Sequence, residues 1–467
     1  MNNNSKALKS GIWYTLSSFL VKSIGFITTP IFARVMTKKE FGLYNNYTSW
    51  LAIITIFVTL NLESTLISAR YDYEDEFDSY ILSVLSLSVF STCIWFAIFN
   101  IFGDFFVGYF NLDRIYINAI LLYLLFLPAV NLFQARERYY FEYKKTVLSS
   151  MFISIGTALL SVILVCVLDD RLFGRVVGSI VPTVLLGVVL FVFFLIKGKK
   201  IKVAYWKYAL PICIPFIPHL LSLNLLNSMD RVMITKWCSA EDNATYSLAY
   251  TCGSIVTLLL VSLNSAFAPW LGEKLKEELT DEILKVSRIY IYAFSFLAVG
   301  IMLVAPEVLY ILGGKAYFDA KYVMTPIAMG CVCQFLYSMF VNVEQFKKKT
   351  VGMAIASIVA ALVNYILNYI FIPRVGYLAA AYTTLVGYLC LLFIHMFLVY
   401  RLGYKDIYDY KLIFLVVIIG IITTALVSLL YYISIIRYII IVVYATIFVV
   451  LIIKNKDKII SYIKKKT

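Results

Sequence analysis

The sequence predicts an all-α integral membrane protein of about 14 transmembrane helices, and three observations carry that reading. Hydrophobic residues make up 62% of the 467 and charged residues only 15%, against about 45–50% and 25% in soluble domains. The apolar residues gather in long runs between charged or Gly/Pro breaks, each near the roughly 20 residues that a bilayer span requires. Lysines and arginines crowd into alternate connecting segments, as orientation in a membrane demands. The net charge of +14 therefore reports loops held in the cytoplasm, and no nucleic-acid partner is expected.

Taken in order, the runs place helices near 11–35, 45–69, 79–102, 114–135, 147–168, 174–196, 208–230, 244–268, 287–311, 323–345, 351–372, 376–400, 411–433 and 437–453. The first run is too long for a signal-peptide core and reads as the first span. With the N-terminus inside, 28 of the 41 basic residues fall on cytoplasmic segments, 12 on outer segments, and Lys22 within the first helix. Both termini are thus expected in the cytoplasm, which fourteen spans satisfy. The segment Arg70 to Asp78 is acidic on that inner side, a tolerable exception because acidic residues weigh little in orientation. Leu271, Leu275, Leu279 and Ile283, interleaved with Glu and Lys, predict a short interfacial amphipathic helix between Trp270 and Val286. No outer loop is long enough to hold a catalytic set, which favours transport over sugar transfer or polymerisation.

The eight cysteines mostly lie inside apolar runs and behave as small hydrophobes. Cys331-Val-Cys333 has one intervening residue and no nearby His, unlike zinc sites. No metal site, disulfide framework or cofactor is expected.

The chain also resembles itself. Arg34-Val-Met36 recurs as Arg231-Val-Met233, Lys144-Lys-Thr-Val147 as Lys348-Lys-Thr-Val351, Gly174 as Gly376 and Tyr44 as Tyr246. The offsets are 197, 204, 202 and 202. Six spans per repeat put both units in the same orientation. The expected organisation is a six-helix lobe over 1–200, a second over 201–405, and an appended pair, helices 13 and 14, with a cytoplasmic Lys-rich tail over 406–467.

Ionisable groups at mid-span cost roughly 2.5–3.5 kcal/mol on insertion scales, so each requires a reason. Lys22 lies near the middle of the first helix, some 15–18 Å from either surface at 1.5 Å per residue. Ser18, Lys22, Gly25 and Thr29 share one helical face. That stripe fits a water-filled cavity, or a bundle core in which Lys22 meets a carboxylate. The 197 offset carries Lys22 onto His219, in a helix interrupted by Pro211, Pro215 and Pro218. Interrupted helices line transport sites. The same helix carries Ser222, Asn224, Asn227, Ser228, Asp230 and Arg231. His219 titrates near neutrality and is a candidate switch, or else a packing residue. Arg34 and Arg231 sit at outer helix ends, where they either snorkel or bind phosphate oxygens bidentately. Asp230 most simply pairs with a neighbouring base. Glu63, beside Asn61, Ser64 and Ser68, can pair with Lys22 or carry a proton. Asn364, Asn368, Gln334 and Asn342 read as interhelical hydrogen-bond groups.

The helix from Trp13 to Pro30, the junction Ala33-Arg-Val-Met36 and Phe41-Gly-Leu-Tyr44, the stretch Tyr208-Ala-Leu-Pro211 to Pro218-His219, and Asn227-Ser-Met-Asp-Arg-Val-Met-Ile234 resemble the Wzx polysaccharide flippases. These belong to the multidrug/oligosaccharidyl-lipid/polysaccharide exporter superfamily. The resemblance implies two six-helix lobes in a MATE-like V with an extra helix pair. It implies a multi-pass protein of the bacterial plasma (inner) membrane that flips undecaprenyl-pyrophosphate-linked oligosaccharide repeat units for O-antigen or capsule synthesis by alternating access. Under it, Lys22, Arg34 and Arg231 hold the pyrophosphate, and Ser18, Thr29, Ser222, Asn224 and Asn227 meet sugar. Glu63, His219 and Asp230 are the candidates for coupling to H+ or Na+. Membrane lipids, a polysaccharide polymerase and a chain-length regulator are the implied partners. The alternatives are a lipid II or teichoic-type precursor flippase, a MATE-type multidrug antiporter, whose cavity would have to be acidic, and a membrane polysaccharide polymerase or ligase.

Overall fold

A computed structural model describes residues 3–140 and 142–454, and among them all regular structure is helical. The helices are α1 (Asn3–Val35), α2 (Lys38–Thr59), α3 (Leu66–Asp72), α4 (Phe77–Ile101), α5 (Gly103–Phe110), α6 (Arg114–Tyr139), α7 (Tyr143–Val167), α8 (Arg171–Gly198), α9 (Val203–Cys213) and α10 (Phe216–Trp237). They continue as α11 (Ala240–Lys276), α12 (Thr280–Leu303), α13 (Ala305–Gly313), α14 (Lys321–Phe346), α15 (Thr350–Val375), α16 (Tyr377–Arg401), α17 (Tyr410–Leu430) and α18 (Ser434–Lys454). Among the described residues, ten helices are long and apolar enough to cross a membrane, or twelve if each of two bent pairs is one span. The chain is a multi-pass membrane protein.

Two expectations are corrected. The helix expected near 45–69 is not continuous: Leu60 and Asn61 take left-handed backbone (φ 57° and 48°), and α2 and the segment beyond them meet at 48°. Asn is one of the few residues that adopts this conformation readily, so Glu63 sits in a break, in a 3-10 turn over Leu62–Thr65. The interfacial helix expected between Trp270 and Val286 is absent. α11 runs on through Leu271 and Leu275, the chain turns at Glu278 (φ 58°), and Ile283 already belongs to α12. Leu271, Leu275 and Ile283 are buried, so their periodicity records the core faces of two long helices rather than a surface-lying one. The break expected from the proline cluster is present, since α9 and α10 meet at 53° around Ile214 and Pro215.

The chain forms two compact units, Met1–Thr251 with Lys349–Leu391 and Cys252–Lys348 with Leu392–Thr467. In the first, α7 and α8 pack so closely that a Cβ on Gly178 would lie 2.4 Å from Ser161 Cα and one on Gly174 would lie 2.8 Å from the Leu164 carbonyl oxygen. Such spacing of small residues is how membrane helices gain packing energy without a hydrophobic driving force. The N-terminus of α2 is closed by a capping box, Thr37 Oγ1 accepting from Glu40 N at 3.2 Å and Glu40 Oε2 accepting from Thr37 N at 2.7 Å. Arg171 Nη1 donates to the Val35 carbonyl at 2.5 Å, closing the end of α1. The acidic segment over 70–78 is matched within this unit. Asp78 pairs with Arg136 at 2.7 Å, Glu76 with Lys202 at 2.5 Å, and Tyr205 and Tyr208 donate to Glu76 and Asp72. Its exception to the charge rule is thus a set of helix-to-helix ties.

In the second unit α12, α14 and α17 pack together, and Asn342 Nδ2 donates to Asn264 at 2.8 Å. Asp409 caps α17 by accepting from Leu412 N at 3.0 Å and pairs with Arg288 at 2.7 Å. The backbone N–H and then the guanidinium hold this carboxyl below its ordinary range. Its contribution is therefore complete at neutral pH and disappears as pH falls through that lowered value. Arg437, with a side chain 4% exposed, meets Glu307 through Nη1 at 2.7 Å and Nη2 at 2.5 Å, joining α18 to α13. Glu307→Gln leaves that guanidinium buried without its charge partner and is expected to reduce stability by about 3 kcal/mol, read as a lowered thermal transition of the detergent-solubilised protein.

Candidate functional site

The site is organised on α10, the helix that follows the proline break. Pro218 falls in its first turn, where a missing N–H removes no hydrogen bond, so the helix restarts cleanly and presents Ser222, Asn224, Asn227, Asp230 and Arg231 in succession. Asp230 is 1% exposed. Its Oδ2 accepts from Tyr246 at 2.6 Å and from Thr384 at 2.5 Å, and its Oδ1 accepts from Asn368 Nδ2 at 2.6 Å. Asn364 extends the network by donating to Thr384 at 3.3 Å and accepting from Asn368 at 3.2 Å, while Thr383 donates to Asn368. One carboxylate thereby joins α10, α11, α15 and α16. The pairing of Asp230 with a neighbouring base is not what the structure shows: three neutral donors hold it, as a buried carboxylate requires in the absence of an ion pair.

Arg231 lies with its guanidinium carbon 4.6 Å from the Tyr250 ring centroid, and its Nε is buried without a hydrogen-bond partner. Tyr250 and Tyr388 both donate to Asn227 Oδ1, at 3.3 and 3.0 Å. Asn224 and Ser222 donate to the Leu220 and Pro218 carbonyls of their own helix, which leaves Ser222 its lone pairs and Asn224 its carbonyl oxygen and second amide N–H for a ligand. His219 is half-buried, and its Nδ1 has no partner among the described residues.

On α1, Lys22 is exposed and makes no hydrogen bond or ion pair among the described residues. The core-pair reading of this lysine is set aside, including its pairing with Glu63. Glu63 instead accepts from Asn131 at 3.4 Å. Ser18 and Arg34 are exposed, and Thr29 donates to the Gly25 carbonyl at 2.8 Å. The described contacts thus gather Asp230, Arg231 and Asn227 into one network, which includes neither Lys22 nor Glu63.

Sequence reasoning missed a second buried acid. His395 Nδ1 lies 2.7 Å from Glu344 Oε1, with both side chains at most 2% exposed and the other carboxylate oxygen unpartnered. The two residues belong to different helices, 51 positions apart, so no local spacing marks them. Asn364 and Asn368 were visible as hydrogen-bonding groups, but their carboxylate partner was not. Among the described residues, no cluster of three or more His, Cys, Asp or Glu can hold a metal.

Thr384→Val keeps the volume but withdraws one donor from a buried carboxylate. It is expected to reduce stability by about 1–3 kcal/mol, measured by thermal unfolding in detergent; an unchanged transition would show that the network carries no such energy.

Residues 7–275 match the sequence family described as "Polysaccharide biosynthesis protein", and residues 215–370 match the MatE family. The chain is 24% identical over 361 residues, 72% of its length and 84% of the relative's, to "Lsg locus putative protein 1" of Haemophilus influenzae. Its fold is similar to that of the lipid II flippase MurJ in an inward closed conformation, with a TM-score of 0.69 at 14% identity over 96% of this chain and all of that one. It is also similar to an inward-facing multidrug resistance MATE family transporter of the MOP superfamily, with a TM-score of 0.65 at 13% identity over 83% of this chain and 95% of that one. With the first family matching more than half of its length, the chain belongs to the polysaccharide biosynthesis protein family, on the helical fold of the multidrug/oligosaccharidyl-lipid/polysaccharide exporter superfamily.

Proposed function

We propose that this protein is a flippase that moves undecaprenyl-pyrophosphate-linked oligosaccharide repeat units from the cytoplasmic to the outer leaflet of a bacterial plasma membrane, for O-antigen or capsule synthesis. The observation that carries the reading is Lys22, an exposed cation in the middle of an apolar helix with no carboxylate to neutralise it. A diphosphate head group supplies the missing charge. Arg231, whose Nε is unspent, and Arg34 complete the basic set, while Ser18, Thr29, Ser222, Asn224 and Asn227 offer hydroxyl and amide groups to sugar. An exporter of organic cations requires an available acid. Asp230, the acid of the α10 network, is closed in by three donors.

In this reading the protein is a transporter rather than an enzyme. The segments 1–200 and 201–405 are the alternating lobes, 406–467 is appended, and both termini lie in the cytoplasm, as the distribution of basic residues supports. A polymerase and a chain-length regulator receive the flipped product. Asp230 is the leading coupling group, with His219 and Glu63 behind it, because exchange of H+ or Na+ at its oxygens acts on four helices together. A lipid II flippase is the second reading, favoured by the similarity to MurJ over 96% of the chain.

The test is flipping of a defined lipid-linked oligosaccharide in proteoliposomes under an imposed pH or sodium gradient. Lys22→Ala and Arg231→Ala, inserted at normal levels, are each expected to slow flipping roughly tenfold, the equivalent of one charge-assisted hydrogen bond. Full activity of both variants overturns the assignment, and equal or better transport of lipid II selects the second reading. Asp230→Asn is expected to abolish the response to the gradient while leaving downhill exchange measurable.

A further inference from the structure

A cavity of about 300 Å³ lies inside the first compact unit, lined by residues of α1, α2, α6, α7 and α8. Neither Lys22, Arg34 nor Arg231 lines it, and no Asp or Glu does. Its one charged group is Arg175, whose guanidinium carbon stands 3.6 Å from the Phe32 ring centroid and 4.5 Å from that of Tyr44. The rings fix the guanidinium plane and contribute a cation–π attraction, but they offer its N–H groups no acceptor. Among the described residues Arg175 has no ion pair and no hydrogen bond. A guanidinium without a counter-charge in a membrane-embedded cavity is costly unless something else occupies the space before it.

A second, independent feature has the same polarity. Tyr47, 1% exposed, lines the same cavity with its hydroxyl buried and unpartnered. The neighbouring hydroxyls differ, since Thr48, Thr157 and Ser179 donate to the backbone carbonyls of Asn45, Ser179 and Val176 at 3.0, 3.4 and 2.7 Å. Each has spent its proton and keeps lone pairs. The guanidinium N–H groups and the Tyr47 O–H thus remain as donors, whereas Thr48, Thr157 and Ser179 offer only acceptors. That set binds an anion directly and its hydration waters at the periphery, and a water occupies only about 30 Å³. The related tyrosine of the second repeat makes the contrast, because Tyr246, 202 residues after Tyr44, donates to a carboxylate rather than lying under a guanidinium.

We propose that the Arg175 cavity is a binding site for a small inorganic anion, a halide or phosphate, held by Arg175 and the Tyr47 hydroxyl and distinct from the groups assigned to the lipid-linked substrate. Occupancy would tie α1 and α2 to α8 within one unit, independently of what the protein transports.

The test uses the full chain in a neutral detergent without anionic lipid, with chloride, bromide or phosphate replacing gluconate at constant ionic strength. Thermal stability is expected to rise saturably with at least one of these anions. Arg175→Gln should abolish that dependence, and Tyr47→Phe should weaken the half-saturation concentration roughly fivefold, as expected for one lost hydrogen bond. If Arg175→Gln does not fold, the Tyr47→Phe shift decides alone. The proposal is overturned if the native chain shows no saturable response, if the variants respond as it does, or if stabilisation appears only in nanodiscs containing phosphatidylglycerol, which would identify a lipid head group as the occupant.

Discussion

A bilayer interior supplies no water, so every polar group placed there must be answered by another part of the chain or by a ligand. That requirement explains the long uninterrupted helices, in which the backbone satisfies itself. It also explains what surrounds the interruptions and ends. The carbonyl that ends α5, Phe110 O, is met by Asn46 and Trp50 side chains of α2 at 2.8 and 3.1 Å, and Arg171 performs the same service for α1. At the break between α2 and α3, Glu63 finds Asn131 of α6. Where no polar group is involved, glycine gives close contact instead, as in the approach of Gly174 and Gly178 to α7.

The same accounting separates structural charges from those available for chemistry. Arg136, Arg171 and Arg437 are each engaged by carboxylates or carbonyls and hold helices together. Lys22 and Arg175 have no such partner among the described residues, and a cation left unanswered by its own chain is the group that an anionic ligand can answer. Arg175 carries the same guanidinium as Arg136, Arg171 and Arg437 and differs from them in what the fold brings near it.

Asp230 shows how a single carboxylate can matter over a distance. Its three donors come from three different helices besides its own, so its charge state bears on the packing of all four. Tyr44 and Tyr246, 202 residues apart in the sequence, face opposite charges, Arg175 in one case and Asp230 in the other.

The sequence by itself determined the class of fold and where most helices lie, because a span is a local property: about twenty apolar residues in a row suffice, whatever surrounds them. It also marked the proline break before α10, the polar run from Ser222 to Arg231 and the unusual position of Lys22, since each is a departure from that local pattern. Only the tertiary structure decided partnership. The three donors to Asp230, the Glu344–His395 pair and the cavity in front of Arg175 all depend on residues tens to hundreds of positions apart. Hydrogen bonds act over about 3 Å, and which groups come within that range is set by how the helices pack, a quantity that no single helix encodes.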